Sequence, residues 1–163
     1  MSTGVKLIDA VRDGDEFEKL FEKGVIVPLR VTGTSMLPLL RPGKSIVWLE
    51  GIGEKVRRGD ILLFRRKNGA FVLHRVRKIL PDGKLVMNGD AQSWCEVIGR
   101  VSVKAVARRI DIGKISFRAD GFLLTLYRLL WTPTYPVRGT LLRFASRVKR
   151  AFLSPAKEKQ NEK

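Results

Sequence analysis

Apolar residues along this chain recur in three successive rhythms, and each rhythm predicts a different kind of element. Near the start, Phe17, Leu20 and Phe21 fall on one face of a short helix, roughly Glu16 to Lys23. Asp15 and Glu18 give it a capping-box-like beginning, and Gly24 is a natural stop. From Val25 to about Ile112 the pattern changes to short β-branched runs separated by turn residues. Strands are predicted near Val25–Val31, Ser45–Leu49, Ile61–Arg66, Phe71–Ile79, Lys84–Met87 and Val97–Ile110, with hairpin turns at Asn68-Gly69 and Pro81-Asp82-Gly83. Closely spaced strands with tight turns predict a mainly β, antiparallel core. After Gly113 the rhythm is helical again. Asp120 can cap a helix Gly121 to Trp131 that is apolar nearly all round, and Thr132 to Pro136 breaks it. A second helix is expected over about Val137 to Leu153, with Leu141, Phe144, Ala145, Val148 and Phe152 at helical spacing. The organisation expected is an N-terminal helical segment (1–24), a β domain (25–112), a helical appendage (113–153) and a disordered polar tail (154–163), with no internal repeat.

Charge adds a partner class to this picture. Among 163 residues, 32 Lys and Arg against 16 Asp and Glu give a net charge of +16, which implies attraction to a polyanion. Between Gly121 and Leu153 the charged residues are Arg128, Arg138, Arg143, Arg147, Lys149 and Arg150, none of them acidic. The first 15 residues hold acidic side chains and no apolar run of signal-peptide length. A spanning helix needs about 20 apolar residues. The stretch Gly121 to Val137 is shorter and is interrupted by Arg128, Pro133 and Pro136. The expected location is cytoplasmic or peripheral at a membrane.

The single Cys95 and single His74 narrow the chemistry. One cysteine excludes an intrachain disulfide and a four-thiolate metal site, and one histidine excludes a zinc site built on several imidazoles. No metal and no cofactor is expected. Any imidazole chemistry must use His74. It stands mid-strand in Phe71-Val72-Leu73-His74-Arg75-Val76, on one face with Val72 and Val76. Ser35 lies in Gly33-Thr34-Ser35-Met36-Leu37-Pro38, after the first strand. Pro38 and Pro42 stiffen the segment, and Gly33 leaves room for a substrate strand beside the backbone. A serine hydroxyl needs a base to take its proton and backbone N–H groups aimed at the oxyanion. Gly33, Thr34 and Met36 are the candidates for substrate and oxyanion contacts. Asp90, in Val86-Met87-Asn88-Gly89-Asp90, and Glu96 are both able to orient the imidazole.

These segments in this order, together with Arg58-Gly59-Asp60-Ile61-Leu62-Leu63-Phe64, resemble the serine peptidase clan of type I signal peptidases and LexA-like self-cleaving repressors, over about Val25 to Val106. The resemblance implies an antiparallel coiled β-sheet fold and cleavage of a peptide or leader segment through a serine acyl-enzyme. His74 followed by Arg75-Val76 is similar to the archaeal and endoplasmic-reticulum branch, which uses serine, histidine and an aspartate. The resemblance makes Ser35 the nucleophile and His74 the base. Asp90 matches that branch's Gly-Asp, and Glu96 falls where it often has a second acidic residue, so the third member stays open between them. Asp60 matches a strand opening and carries no catalytic role. Gly33 stands where signal peptidases often have a serine, with the hydroxyl on Thr34 instead. The N-terminal span of signal peptidases and the DNA-binding domain and Ala-Gly linker of LexA-like repressors have no counterpart in the residues before the first strand.

Two other readings fit the same residues. One is a catalytically inactive peptide-binding module of this fold. The other is a basic nucleic-acid-binding protein, which is disfavoured because the arginines lack interleaved stacking aromatics. The C-terminal helix either packs its apolar stripe on the β core or lies on an anionic membrane surface.

Overall fold

The computed structural model describes residues 14–135 together with 137, 138, 140 and 144. The tail from Ser154 lies outside them, as does most of the second helix expected over Val137 to Leu153. Helix α1 spans Gly14–Glu22 and ends at Gly24, whose φ of +72° suits a residue without Cβ. Phe21 is buried and Leu20 packs against the core beside it. The Glu18 carboxylate reaches out of the helix to Lys104 Nζ at 2.9 Å and Arg65 Nη1 at 3.6 Å.

The strands are β1 (Val27–Arg30), β2 (Ser45–Gly51), β3 (Ile61–Arg65), β4 (Phe71–Ile79), β5 (Leu85–Asn88), β6 (Glu96–Ile98), β7 (Val103–Ile112) and β8 (Ile115–Arg118). All pair antiparallel in one eight-stranded sheet of order β1-β2-β7-β3-β4-β5-β6, with β8 on β7. The chain is mainly β, as its pattern predicts. The two hairpin turns close as expected, with Gly69 and Gly83 at φ +85° and +78°.

Two strand expectations are corrected. The run Val97–Ile110 is not one strand, because β6 pairs with β5 while β7 pairs with β2 and β3, and the turn Arg100–Ser102 carries the chain between those places. Strand β8 falls where a helical segment was expected to begin. Gly113, at φ +62°, turns the chain straight back onto β7.

Alternation along the central strands separates two apolar clusters. Ile61 and Leu63 belong to a core shared with Val47, Leu49, Met36 and Leu40, whereas Leu62 and Phe64 pack with Val76 and Met87. Strand β3 is thus covered on both faces, which is why it reads as an unbroken apolar run. Helix α2 (Phe122–Trp131) buries Leu124 in the first cluster and leaves Phe122, Leu123, Leu129 and Leu130 exposed. Both oxygens of Asp120, expected as its cap, accept bonds from Arg118. Among the described residues no helix is long and apolar enough to cross a membrane.

Candidate active site

The segment after β1 is a loop closed at its base by Val31 N–H donating to Ser45 O at 3.0 Å and Gly43 N–H donating to Val31 O at 2.7 Å. Met36 and Leu40 drop into the first cluster and are joined by Leu40 N–H to Met36 O at 2.9 Å. Burying these two apolar side chains anchors the turn and leaves Ser35 partly exposed between them and the outer residues Gly33 and Thr34. A Cβ at Gly33 would meet nothing within 4 Å, so the space beside it is open. Met36 belongs to the anchor through its side chain, and only its backbone is available for any oxyanion contact.

The serine loop meets the far end of β5 through backbone. Ser35 O accepts a 2.7 Å hydrogen bond from Ala91 N–H, and a Cβ on Gly89 would lie 2.6 Å from the same oxygen. Gly89 does not sit at positive φ, so what it supplies is closeness rather than an unusual dihedral. Asn88, one residue earlier, pairs with Arg75 in β4, the neighbour of His74. The tie between the Ser35 loop and the strand carrying the histidine therefore runs through Gly89–Ala91 main chain.

His74 sits opposite Leu62 in the β3–β4 ladder and is 1% exposed. Phe64 and Trp94 flank its ring at centroid distances of 5.9 and 6.3 Å. Nδ1 lies 3.1 Å from Glu96 Oε1, close but not aligned as a straight hydrogen bond. Burial pushes the imidazole pKa below its ordinary value, against a smaller upward pull from Glu96 and with a further downward push from Arg66. The ring is thus neutral at neutral pH, the form a general base requires.

Glu96 is itself held. Arg66 Nε donates to Oε2 at 2.9 Å and Arg66 Nη2 to Oε1 at 2.7 Å, a bidentate pair that fixes the carboxylate plane. The hydrogen bond to Glu96 also raises the Arg66 pKa, so this guanidinium stays charged.

Asp90 occupies a different position. Its two oxygens accept from Arg75 Nε at 2.9 Å and Arg75 Nη2 at 2.7 Å, and Tyr127 OH adds a 3.3 Å contact. Its backbone carbonyl accepts from Trp131 Nε1 at 2.9 Å, and Arg75 Nη1 reaches Gly59 O at 2.9 Å. Asp90 thereby joins β4, the Arg57–Asp60 turn and α2, and burial with the nearby Asp90 charge pushes the Tyr127 pKa upward. Asp60 caps its own turn, accepting from Arg57 N–H at 2.7 Å. Of the two candidate acids, Glu96 lies at the imidazole and Asp90 lies on Arg75.

Arg66 is the residue that sequence reasoning passed over. The signal was present: alternation places Arg66 on the face of Leu62 and Phe64, and His74 is the cross-strand partner of Leu62. The same period puts Arg75 on the opposite face from His74. Tyr127, Trp131 and Arg138 reach this region only through the fold, across 37 to 50 residues of chain. No metal-holding group of His, Cys, Asp and Glu occurs among the described residues. Comparison with family models, with curated proteins and with solved structures found no match for this chain.

Proposed function

We propose that the chain is a serine-type endopeptidase of the signal peptidase and LexA-like kind, acting on a peptide or protein segment. The observation that carries this reading is the ordered chain Arg66–Glu96–His74, which holds an acid at the imidazole; Ser35 stands partly exposed on a separate turn bonded to Ala91. In the proposed reaction Ser35 Oγ attacks the scissile carbonyl carbon while His74 Nε2 takes the hydroxyl proton. The tetrahedral oxyanion meets backbone N–H groups of the Gly33–Met36 turn. The C–N bond then breaks, and His74 returns the proton to the leaving amine. Water attacks the acyl ester, gives its proton to His74, and the serine is released with the carboxylic acid. Glu96 faces Nδ1 and stabilises the imidazolium formed at each step. Asp90 acts at one remove: with Arg75 it holds the Gly89–Ala91 segment against the serine loop. The sheet order and its two apolar clusters are compatible with the coiled β-sheet that this reading requires.

The test is cleavage of a peptide library by the full chain, followed by mass spectrometry. Ser35→Ala and His74→Ala each abolish cleavage while preserving the circular dichroism spectrum. Full activity in His74→Ala sinks the proposal. One observation favours the inactive peptide-binding module: the imidazole is nearly fully covered and off-axis from Glu96. That reading gains if the wild-type chain binds library peptides without cutting any.

A further inference from the structure

A cavity of about 410 Å³ opens between β4, the end of β5 and α2, lined in part by Arg58, Arg75, Arg77, Arg128 and Arg138. Asp90 is the one acidic side chain in that wall, and both its oxygens are taken by Arg75. Among the described residues the other four arginines make no ion pair. Three of them, Arg77, Arg128 and Arg138, meet neutral partners. Arg128 Nη1 donates to Arg58 O at 2.9 Å, and Arg77 stacks over the Tyr135 ring at 3.6 Å. Arg138 is 2% exposed and gives Nη1 to Asn88 Oδ1 and Nη2 to Trp131 O, both at 2.9 Å, with a longer 3.4 Å contact to Gly89 O. Its Nε is buried with no hydrogen-bond partner.

This is an unusual use of charge. Carbonyls and aromatic faces orient a guanidinium but do not neutralise it, and a buried cation without a counter-charge is costly. Burial lowers the Arg138 pKa, Asp90 and Tyr127 pull it part of the way back, and Arg77 and Arg75 lower it further; Asp90, its nearest counter-charge, is already paired with Arg75. Everything the cavity lacks is supplied by one kind of ligand, a compact anion with several acceptor oxygens. A carboxylate offers two oxygens in a plane. A phosphate group offers more acceptors and a second charge, which matches arginine forks arriving from different elements. The volume is at the small end for ligand sites, enough for a phosphate with a small organic substituent.

We propose that the cavity walled by Arg58, Arg77, Arg128 and Arg138 is a binding site for the phosphate group of a phosphomonoester. It lies apart from the imidazole and stands whether or not the chain cuts peptides. The group has two possible sources, a soluble phosphate compound or an anionic lipid headgroup. The second is pertinent because exposed Leu129 shares the cavity wall and Phe122, Leu123 and Leu130 are exposed on the same helix.

The experiment is calorimetric titration of the full chain with inorganic phosphate, at an ionic strength held constant with chloride. Saturable one-to-one binding is expected, weakened about tenfold in Arg77→Gln and in Arg128→Gln. These side chains are less buried than Arg138, so both variants fold. Ser35→Ala binds phosphate like the wild type, which separates this outcome from the fate of the peptidase reading. Cosedimentation with phosphatidylcholine vesicles containing phosphatidic acid then identifies the source. Vesicle binding that free phosphate displaces assigns the lipid headgroup, and phosphate binding without vesicle binding assigns a soluble ligand. No saturable phosphate binding, or binding unchanged in both arginine variants, overturns the proposal.

Discussion

Replacing Gly89 with alanine tests the link between the two halves of the candidate site. The added methyl would stand 2.6 Å from Ser35 O, roughly 0.8 Å inside the 3.4 Å at which ordinary contact begins. It would also stand 2.7 Å from Gln92 Oε1, but that atom ends a flexible side chain and can rotate away. The serine carbonyl cannot, because Ala91 N–H and the buried Met36 hold its peptide in place. Relief therefore requires the loop and the Gly89 segment to separate. Overpacking of this kind costs about 1–3 kcal/mol, and losing the Ala91–Ser35 hydrogen bond adds about 1 kcal/mol. For a chain of this size each kcal/mol moves Tm by about 2–4 °C, so Gly89→Ala should melt roughly 4–16 °C below the wild type. Peptide cleavage should fall further than stability, about a hundredfold in kcat/KM, because a displacement near 1 Å at a nucleophile is that damaging. Scanning calorimetry gives the first number and initial-rate kinetics the second. Gly89→Ala combined with Gln92→Ala should recover neither. A Gly89→Ala variant melting within about 1 °C of wild type would refute the reasoning, since the carbonyl would then have moved at no cost.

Other consequences concern the ion pairs and the imidazole. Arg75→Leu leaves Asp90 buried without its partner and should cost about 3–5 kcal/mol in urea unfolding, while Arg75→Leu with Asp90→Leu recovers much of the loss. His74 has a folded pKa below 6.5, so the unfolded chain takes up a proton first as pH falls. Its contribution to stability is therefore full above about pH 6.5 and is lost below it. The urea midpoint of wild type should drop on acidification more than that of His74→Gln. Glu96→Gln removes the upward pull on the imidazole, so the acid limb of the kcat/KM profile should move to lower pH as kcat declines.

The strands were legible because their signals are local. β-branched runs, Asn68-Gly69 and Pro81-Asp82-Gly83 each fix the conformation of a few adjacent residues, and the observed hairpins sit on them. The order of strands was not legible. That β7 lies between β2 and β3 is a matter of which apolar faces meet across more than forty residues, and alternation cannot state it. β8 was hidden for a simpler reason: Ile115–Arg118 is four residues long, and its exposed pattern resembles the lead-in to a helix. The choice between Asp90 and Glu96 shows the same divide. Both are acids at the right distance along the chain from His74. Only the geometry of β4, with His74 and Arg75 facing opposite ways, gives each acid a different partner, the imidazole for Glu96 and the Arg75 guanidinium for Asp90.

The two faces of that sheet also set a timing. His74 belongs with Phe64 and Val76 in one packing unit, whereas the Ser35 turn is rooted through Met36 and Leu40 in the other. Such units breathe separately, each with its own opening free energy below that of global unfolding. The hydrogen between Ala91 N and Ser35 O joins the serine turn to the segment that Arg75 and Asp90 hold, so its exchange into deuterium clocks how often that backbone tie opens. Under the peptidase proposal, a chain built this way loses activity without unfolding, by parting along one line of backbone.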